Sequence, residues 1–289
     1  MKMSTRARLF HQVVIVGTVL TLTVCETPKA AGQVDTGTTS AGLYYEVSGS
    51  GDPIVFIHAF SVDRRMWAPQ IAAFEGRYRV VRYDLRGHGR SVPPTEPYTG
   101  FDDLRDLLDT LGIDRATLVG LSAGSELALN FAIAYPNRVS RIIVASPGLS
   151  GYPVPPLPWF GPVFQAAGAG LPDSAAKLWA ATPIMALHTN TSASETVTSL
   201  VMENTKLWTY RRTERPLTPP AIDRLAEVTC PVLVIVGDRD LPHIRGVGDL
   251  LAEKVADVAI VTIPGAGHIV NLDTPEAFNE ALASFLDSR

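Results

Sequence analysis

Short apolar runs alternate with stretches of helical period along most of this chain. Residues 43–47 (Leu-Tyr-Tyr-Glu-Val) read as a strand, and 48–53 is dense in turn residues. The continuous apolar run 54–57 suits a strand covered on both faces. Further strands are expected at 79–83, 116–119, 141–145, 231–236 and 258–263, while 33–42 reads as a polar linker. Leu104, Leu107, Leu108 and Leu111 mark an amphipathic helix that Gly112 closes. Leu127, Phe131, Ala134 and Tyr135 recur at the same spacing until Pro136 stops them. A last helix opens with Thr274 as N-cap and Pro275 as its first residue, and runs to about Leu286. Strands alternating with helices argue for an α/β fold with a doubly wound, mostly parallel sheet.

Residues 151–220 break the alternation. Prolines crowd 152–162, and Trp159, Phe160, Phe164, Trp179, Trp208 and Tyr210 follow with no strand pattern among them. This reads as an inserted helical cap over the strand ends, where open α/β sheets bind ligands. Trp159, Phe160 and Trp179 are the candidate substrate-pocket residues; some of the aromatics serve only to hold the insertion together. The core then comes in two parts, 32–150 and 221–289.

The first residues stand apart. Lys2, Arg6 and Arg8 precede an apolar run from Val13 to Val24, too short to cross a bilayer, with small residues at Ala30-Ala31-Gly32. That pattern is a secretory signal over 1–31, implying a secreted or periplasmic protein with no stable membrane span in the mature chain. Leu22-Thr23-Val24-Cys25 also resembles a lipoprotein cleavage box, although Val24 is bulky, so a lipid anchor on Cys25 is the lesser version. Cys230, the other cysteine, reads as a small core hydrophobe, and no disulfide is expected. A length of 289 residues, 46% hydrophobic and 19% charged, is ordinary for a globular protein, and a net charge of −4 gives no footprint for nucleic acid.

The candidate chemistry centres on Gly120-Leu121-Ser122-Ala123-Gly124, between the strand at 116–119 and a helix. A serine at a sharp strand-to-helix turn needs neighbours without a Cβ, and it is presented at the positive end of the helix. Ser150, between Gly148 and Gly151, has no helix pattern behind it and is set aside. A serine hydroxyl also needs a base, and the base an orienting group. The strand ending at Val236 runs into Gly237-Asp238-Arg239-Asp240, and the strand ending at Ile263 into Pro264-Gly265-Ala266-Gly267-His268. His243 has no second ligand at metal spacing, and no dinucleotide fingerprint follows a strand, so neither metal nor cofactor is expected.

These segments, with Phe56-Ile57-His58-Ala59-Phe60, Met66-Trp67 and Asp84-Leu85-Arg86-Gly87-His88-Gly89-Arg90-Ser91, resemble the α/β-hydrolase superfamily over nearly all of 43–289. Within it the chain is similar to the serine esterase, 3-oxoadipate enol-lactonase and cofactor-free haloperoxidase group. The resemblance implies Ser122 as nucleophile, Asp240 (rather than Asp238) as acid, His268 as base, and the Phe60 and Ala123 amides as oxyanion hole. Ala59 stands where the family usually has glycine, which implies a constrained φ there, and Ser125 replaces another glycine. His58 and His88 read as local hydrogen-bonding residues. The expected activity is hydrolysis of a small carboxylic ester or lactone, with a C–C bond hydrolase or perhydrolase as same-triad alternatives. A non-catalytic small-ligand binding protein is the alternative from another class. Oligomeric state is not legible.

Overall fold

The computed structural model describes residues 34–210 and 213–288. The signal-like segment 1–31 and Cys25 lie outside the described residues. Eight strands form one sheet in the order β1-β2-β4-β3-β5-β6-β7-β8. They are β1 Asp35–Thr38, β2 Tyr44–Ser48, β3 Pro53–Ile57, β4 Arg79–Tyr83, β5 Ala116–Leu121, β6 Val139–Ala145, β7 Val232–Gly237 and β8 Val258–Ile263. β1 and β2 are antiparallel additions, and β4-β3-β5-β6-β7-β8 run parallel.

Successive residues of a strand face opposite sides, and both sides here are buried. Ile54 and Phe56 of β3 pack into one layer with α1 (Ala68–Phe74), while Val55 and Ile57 pack into the other. That second layer holds α2 (Gly100–Thr110) and α3 (Ala123–Ala134). The continuous apolar runs of the parallel strands follow from this double cover. Between β6 and β7 lie α4 (Phe160–Gly168), α5 (Pro172–Ala180) and α6 (Ser194–Glu203) with short 3-10 turns. Val163, Trp179 and Leu200 from this insertion join the first layer. α7 (Pro242–Lys254) covers the second layer, and α8 (Val270–Asp273) with α9 (Pro275–Asp287) the first.

Two expectations need correction. The stretch read as a polar linker contains β1, which pairs antiparallel with β2. Its Asp-Thr-Gly-Thr sequence has no apolar alternation, because it is an edge strand with only half-buried and exposed positions. Gly37 lies against the Tyr45 ring, whose hydroxyl oxygen is 2.3 Å from where a Cβ would sit. Thr274 occupies the N-cap position of α9 but does not cap it. Its hydroxyl donates back to the Val270 carbonyl at 3.1 Å, because α8 ends immediately before it. Gly112 stops α2 as expected, at φ 62°. Cys230 is buried, and burial pushes its thiol up to about 11.

Candidate active site

Ser122 sits between β5 and α3 at φ 54°, ψ −113°, a conformation that costs a non-glycine residue about 1–3 kcal/mol. Its surroundings hold it there. A Cβ on Gly120 would lie 2.2 Å from the Gly124 carbonyl oxygen, and one on Gly124 only 2.1 Å from that of Ile57. The Ser122 N–H donates to the Ala145 carbonyl at 3.0 Å, tying the turn to β6. The Ser125 hydroxyl donates to the Ser122 carbonyl at 2.7 Å and accepts from the Gly148 N–H at 2.9 Å. Ser125 thus braces the turn from below. Ser150 is structural: its hydroxyl donates to Asn130 Oδ1 and accepts from the Ala221 N–H.

The loops after β7 and β8 are stapled together. The Asp238 carboxylate accepts the Gly265 N–H at 2.7 Å, and the Arg239 N–H donates to the Ala266 carbonyl at 3.0 Å. A Cβ on Gly237 would lie 2.1 Å from that same carbonyl oxygen. This juxtaposition brings His268 Nδ1 to 3.0 Å from both oxygens of Asp240. Both side chains are buried, whereas Asp238 is exposed and serves its loop. Burial pushes the Asp240 carboxyl up, but the facing imidazole and the Leu241 N–H at 2.7 Å outweigh it and hold its pKa below the usual value. His243 lies near the pair, its pKa lowered chiefly by burial.

The loop after β3 carries Phe60. His58 accepts the Leu85 N–H on Nε2 at 2.9 Å, so Nδ1 bears the proton it gives to the Ala59 carbonyl at 2.8 Å. The ring is neutral and structural. The implied strain at Ala59 is absent: the positive φ of this loop, 70°, falls on Ser61 instead. The loop at 84–91 wraps a buried carboxylate, since Asp84 accepts from the Arg64 and Arg90 backbone amides and from the Arg64 side chain. His88 Nδ1 lies 3.0 Å from the Arg86 carbonyl.

Three carboxylate arrangements beside the site had no signal in the sequence. Buried Asp63 takes the guanidinium fork of Arg65 and the amide of Asn204, which in turn accepts the Gly89 N–H. Burial alone would push Asp63 up, yet Arg65 and Asn204 hold it well below the usual carboxylate range. Asp273 accepts the His188, Thr189 and Asn190 N–H groups on Oδ1 at 2.7–3.1 Å, and that of Gly267 on Oδ2 at 2.7 Å. It therefore joins the insertion to the residue preceding His268. Glu126, on the first turn of α3, is the third.

A cavity of about 350 Å³ touches Phe60 and Ala123 and extends over Tyr83, Arg86, Asp103 and Glu126. Trp159, Phe160 and Trp179 are not among its lining residues. Phe160 stacks on Trp179, and Phe60 meets Trp179 and Trp208 edge-on at 5.3 and 5.4 Å between ring centres. The insertion's aromatics are thus packed directly onto the loop that carries Phe60.

An alpha/beta hydrolase family model matches residues 54–281, spanning β3 to α9 and the loops of Ser122, Asp240 and His268. The chain belongs to this family. Among its relatives is a protein named carbamate hydrolase RutD from Caulobacter sp. (strain K31), 31% identical over 86% of this chain and 97% of the relative. The 3-oxoadipate enol-lactonase 1 of Acinetobacter baylyi is 30% identical over 81% and 88% respectively. Among solved structures, a thermophilic esterase from Thermogutta terrifontis superposes with a TM-score of 0.74 at 26% identity, covering 88% of this chain and 98% of that one. The relatives of this hydrolase are thus named for carbamate and lactone chemistry, and the solved structure for ester chemistry. Among its described residues no group of three or more His, Cys, Asp or Glu side chains is placed to hold a metal, and no helix is long and apolar enough to cross a membrane.

Proposed function

We propose that this hydrolase cleaves a small carboxylic ester or lactone through an acyl-enzyme on Ser122, with His268 as base and Asp240 as orienting acid. The observation that carries the reading is the buried His268–Asp240 pair, held at 3.0 Å to both carboxylate oxygens. With Nδ1–H committed to Asp240, Nε2 is left as the lone-pair nitrogen that takes the serine proton. The buried carboxylate then stabilises the imidazolium as it forms. The oxyanion goes to the Phe60 and Ala123 amides, each such donor contributing about 3 kcal/mol to the transition state. The imidazolium gives its proton to the leaving alkoxide. The neutral imidazole so restored deprotonates the water that attacks the acyl-enzyme, then returns that proton to the Ser122 oxygen as the acid leaves.

The enol-lactonase and esterase likenesses favour ester and lactone substrates over C–C cleavage. The test is Ser122→Ala, which a turn of small residues tolerates. Turnover of aryl esters and covalent labelling by an organophosphonate should both vanish, with the melting temperature retained. Labelling that persists at another serine, or ester turnover by the variant, refutes the assignment.

A further inference from the structure

The cavity beside Ala123 has a chemical character that ester hydrolysis alone does not require. Its floor is α3 (Ala123, Glu126, Leu127, Asn130), and one wall is Tyr83 with the loop after β4. The other wall is the start of α2, and residues 214–216 close it, pinned by the Arg215 N–H to the Tyr98 carbonyl at 2.7 Å. Phe60 and Ala123 open the cavity towards the proposed reaction centre.

The polar groups lining this space include three carboxylates, those of Asp103, Glu126 and Glu214. Tyr83 is fully buried, and its hydroxyl has no hydrogen-bond partner among the described residues, although it lines a cavity large enough for a ligand arm. A buried phenol oxygen without a partner is costly, and here it belongs to a residue that borders the cavity. Glu126 is half-buried, and no described residue donates a hydrogen bond to its carboxylate. Burial, then the nearby charge of Glu214, raises its pKa, so a positive charge beside the Glu126 carboxylate is favoured. Of the cations in the lining, Arg86 is taken by Asp103 in a two-pronged pair at 2.6 and 2.7 Å, and Arg215 is exposed on the rim. Glu214 lies against the start of α2, its Oε1 2.8 Å from where a Cβ of Gly100 would be.

We propose that this cavity receives the amine-bearing arm of a cationic ester or lactone substrate, with Glu126 and the Tyr83 hydroxyl accepting its N–H groups. The proposal rests on the serine-hydrolase reading and specifies its substrate class. Tyr83 and Glu126, which both line the cavity, are then specificity-determining residues.

The test compares aryl esters of 6-aminohexanoate and heptanoate, nearly equal in length and differing in charge. For the unmodified protein kcat/KM should favour the ammonium ester by about tenfold or more, the range of a hydrogen-bonded charge. That ratio should fall towards one in Glu126→Gln and severalfold in Tyr83→Phe, which removes only an oxygen. Because the ratio is internal to each variant, a change in stability does not imitate it. Equal or inverted preference in the unmodified protein, or a ratio untouched by Glu126→Gln, overturns the proposal while the hydrolase reading stands. Failure to cleave either ester counts against the hydrolase reading, and calorimetry then decides the subsite. Hexylammonium should bind Ser122→Ala and lose that binding when Glu126→Gln is added; no binding to Ser122→Ala overturns the subsite as well.

Discussion

Replacing Asp273 by asparagine probes the link between the insertion and the residue before His268. The carboxylate is 1% exposed and receives four backbone N–H groups, three on one oxygen and one on the other. Burial works against its charge and the amides outweigh it, so its pKa lies below the usual value. A hydrogen bond to a charged group contributes about 1.5–3 kcal/mol, but four on one carboxylate do not add. Asparagine keeps one acceptor oxygen and turns an NH2 towards at least one N–H donor. Breaking a buried charged arrangement of this kind costs about 3–5 kcal/mol. For a domain of this size, at about 2–4 °C per kcal/mol, the melting temperature should fall by about 6–20 °C. Turnover should fall at least about tenfold, equivalent to about 1.4 kcal/mol of barrier, because Gly267 fixes where His268 begins. Calorimetric melting and aryl-ester turnover on the same preparation measure both. A variant melting within about 3 °C of the parent, a shift of only about 1 kcal/mol, with unchanged kcat refutes the anchoring role.

The two aspartates after β7 separate cleanly by substitution. Asp240→Asn should nearly silence turnover, as in the protease triad where the equivalent change costs about 10⁴-fold. Asp238→Asn should keep turnover and lose on the order of 1 kcal/mol, since it weakens one loop bond to Gly265; a dead Asp238→Asn with normal melting would reassign the acid. Stability should also have a steep acid limb. Asp63, Asp240 and Asp273 all have folded pKa values below their unfolded ones, so the stability they contribute is present above about pH 4 and is lost as pH falls through the folded values. Glu126, shifted the other way, opposes them only above about pH 4.3, between its unfolded and folded pKa. Urea midpoints that hold level or rise from about pH 4 to about pH 2.5 would contradict this sign.

The parallel core was legible because strands buried on both faces leave continuous apolar runs, as Ile54 to Ile57 shows. β1 was not, since an edge strand of aspartate, threonine and glycine carries no period. The strand-end positions of Ser122, Asp240 and His268, the residues of the proposed triad, were legible from turn glycines, which are local features. Asp273, Asn204 and Tyr83 were not. Asp273 is a carboxylate five residues after His268, and only the fold brings residues 188–190 to it. Asn204 meets Asp63 across 141 positions of sequence. The insertion's aromatics announced a hydrophobic cluster, but their order along the chain said nothing about which rings would pack on Phe60.

Asp273 also bears on how such a protein diversifies. What it grips in the insertion is main chain, the amides of His188, Thr189 and Asn190, and main chain is what every sequence has. The carboxylate thus accepts a peptide conformation rather than particular side chains, although the Thr189 hydroxyl on the Gly265 carbonyl and the Asn190 amide on the Leu272 carbonyl add two side-chain bonds to the seat. Residues on the far side of that segment are free to change without loosening the seat beneath them. A lineage can therefore alter the insertion by substitution while the histidine loop, held by the other oxygen of the same carboxylate, stays where it is.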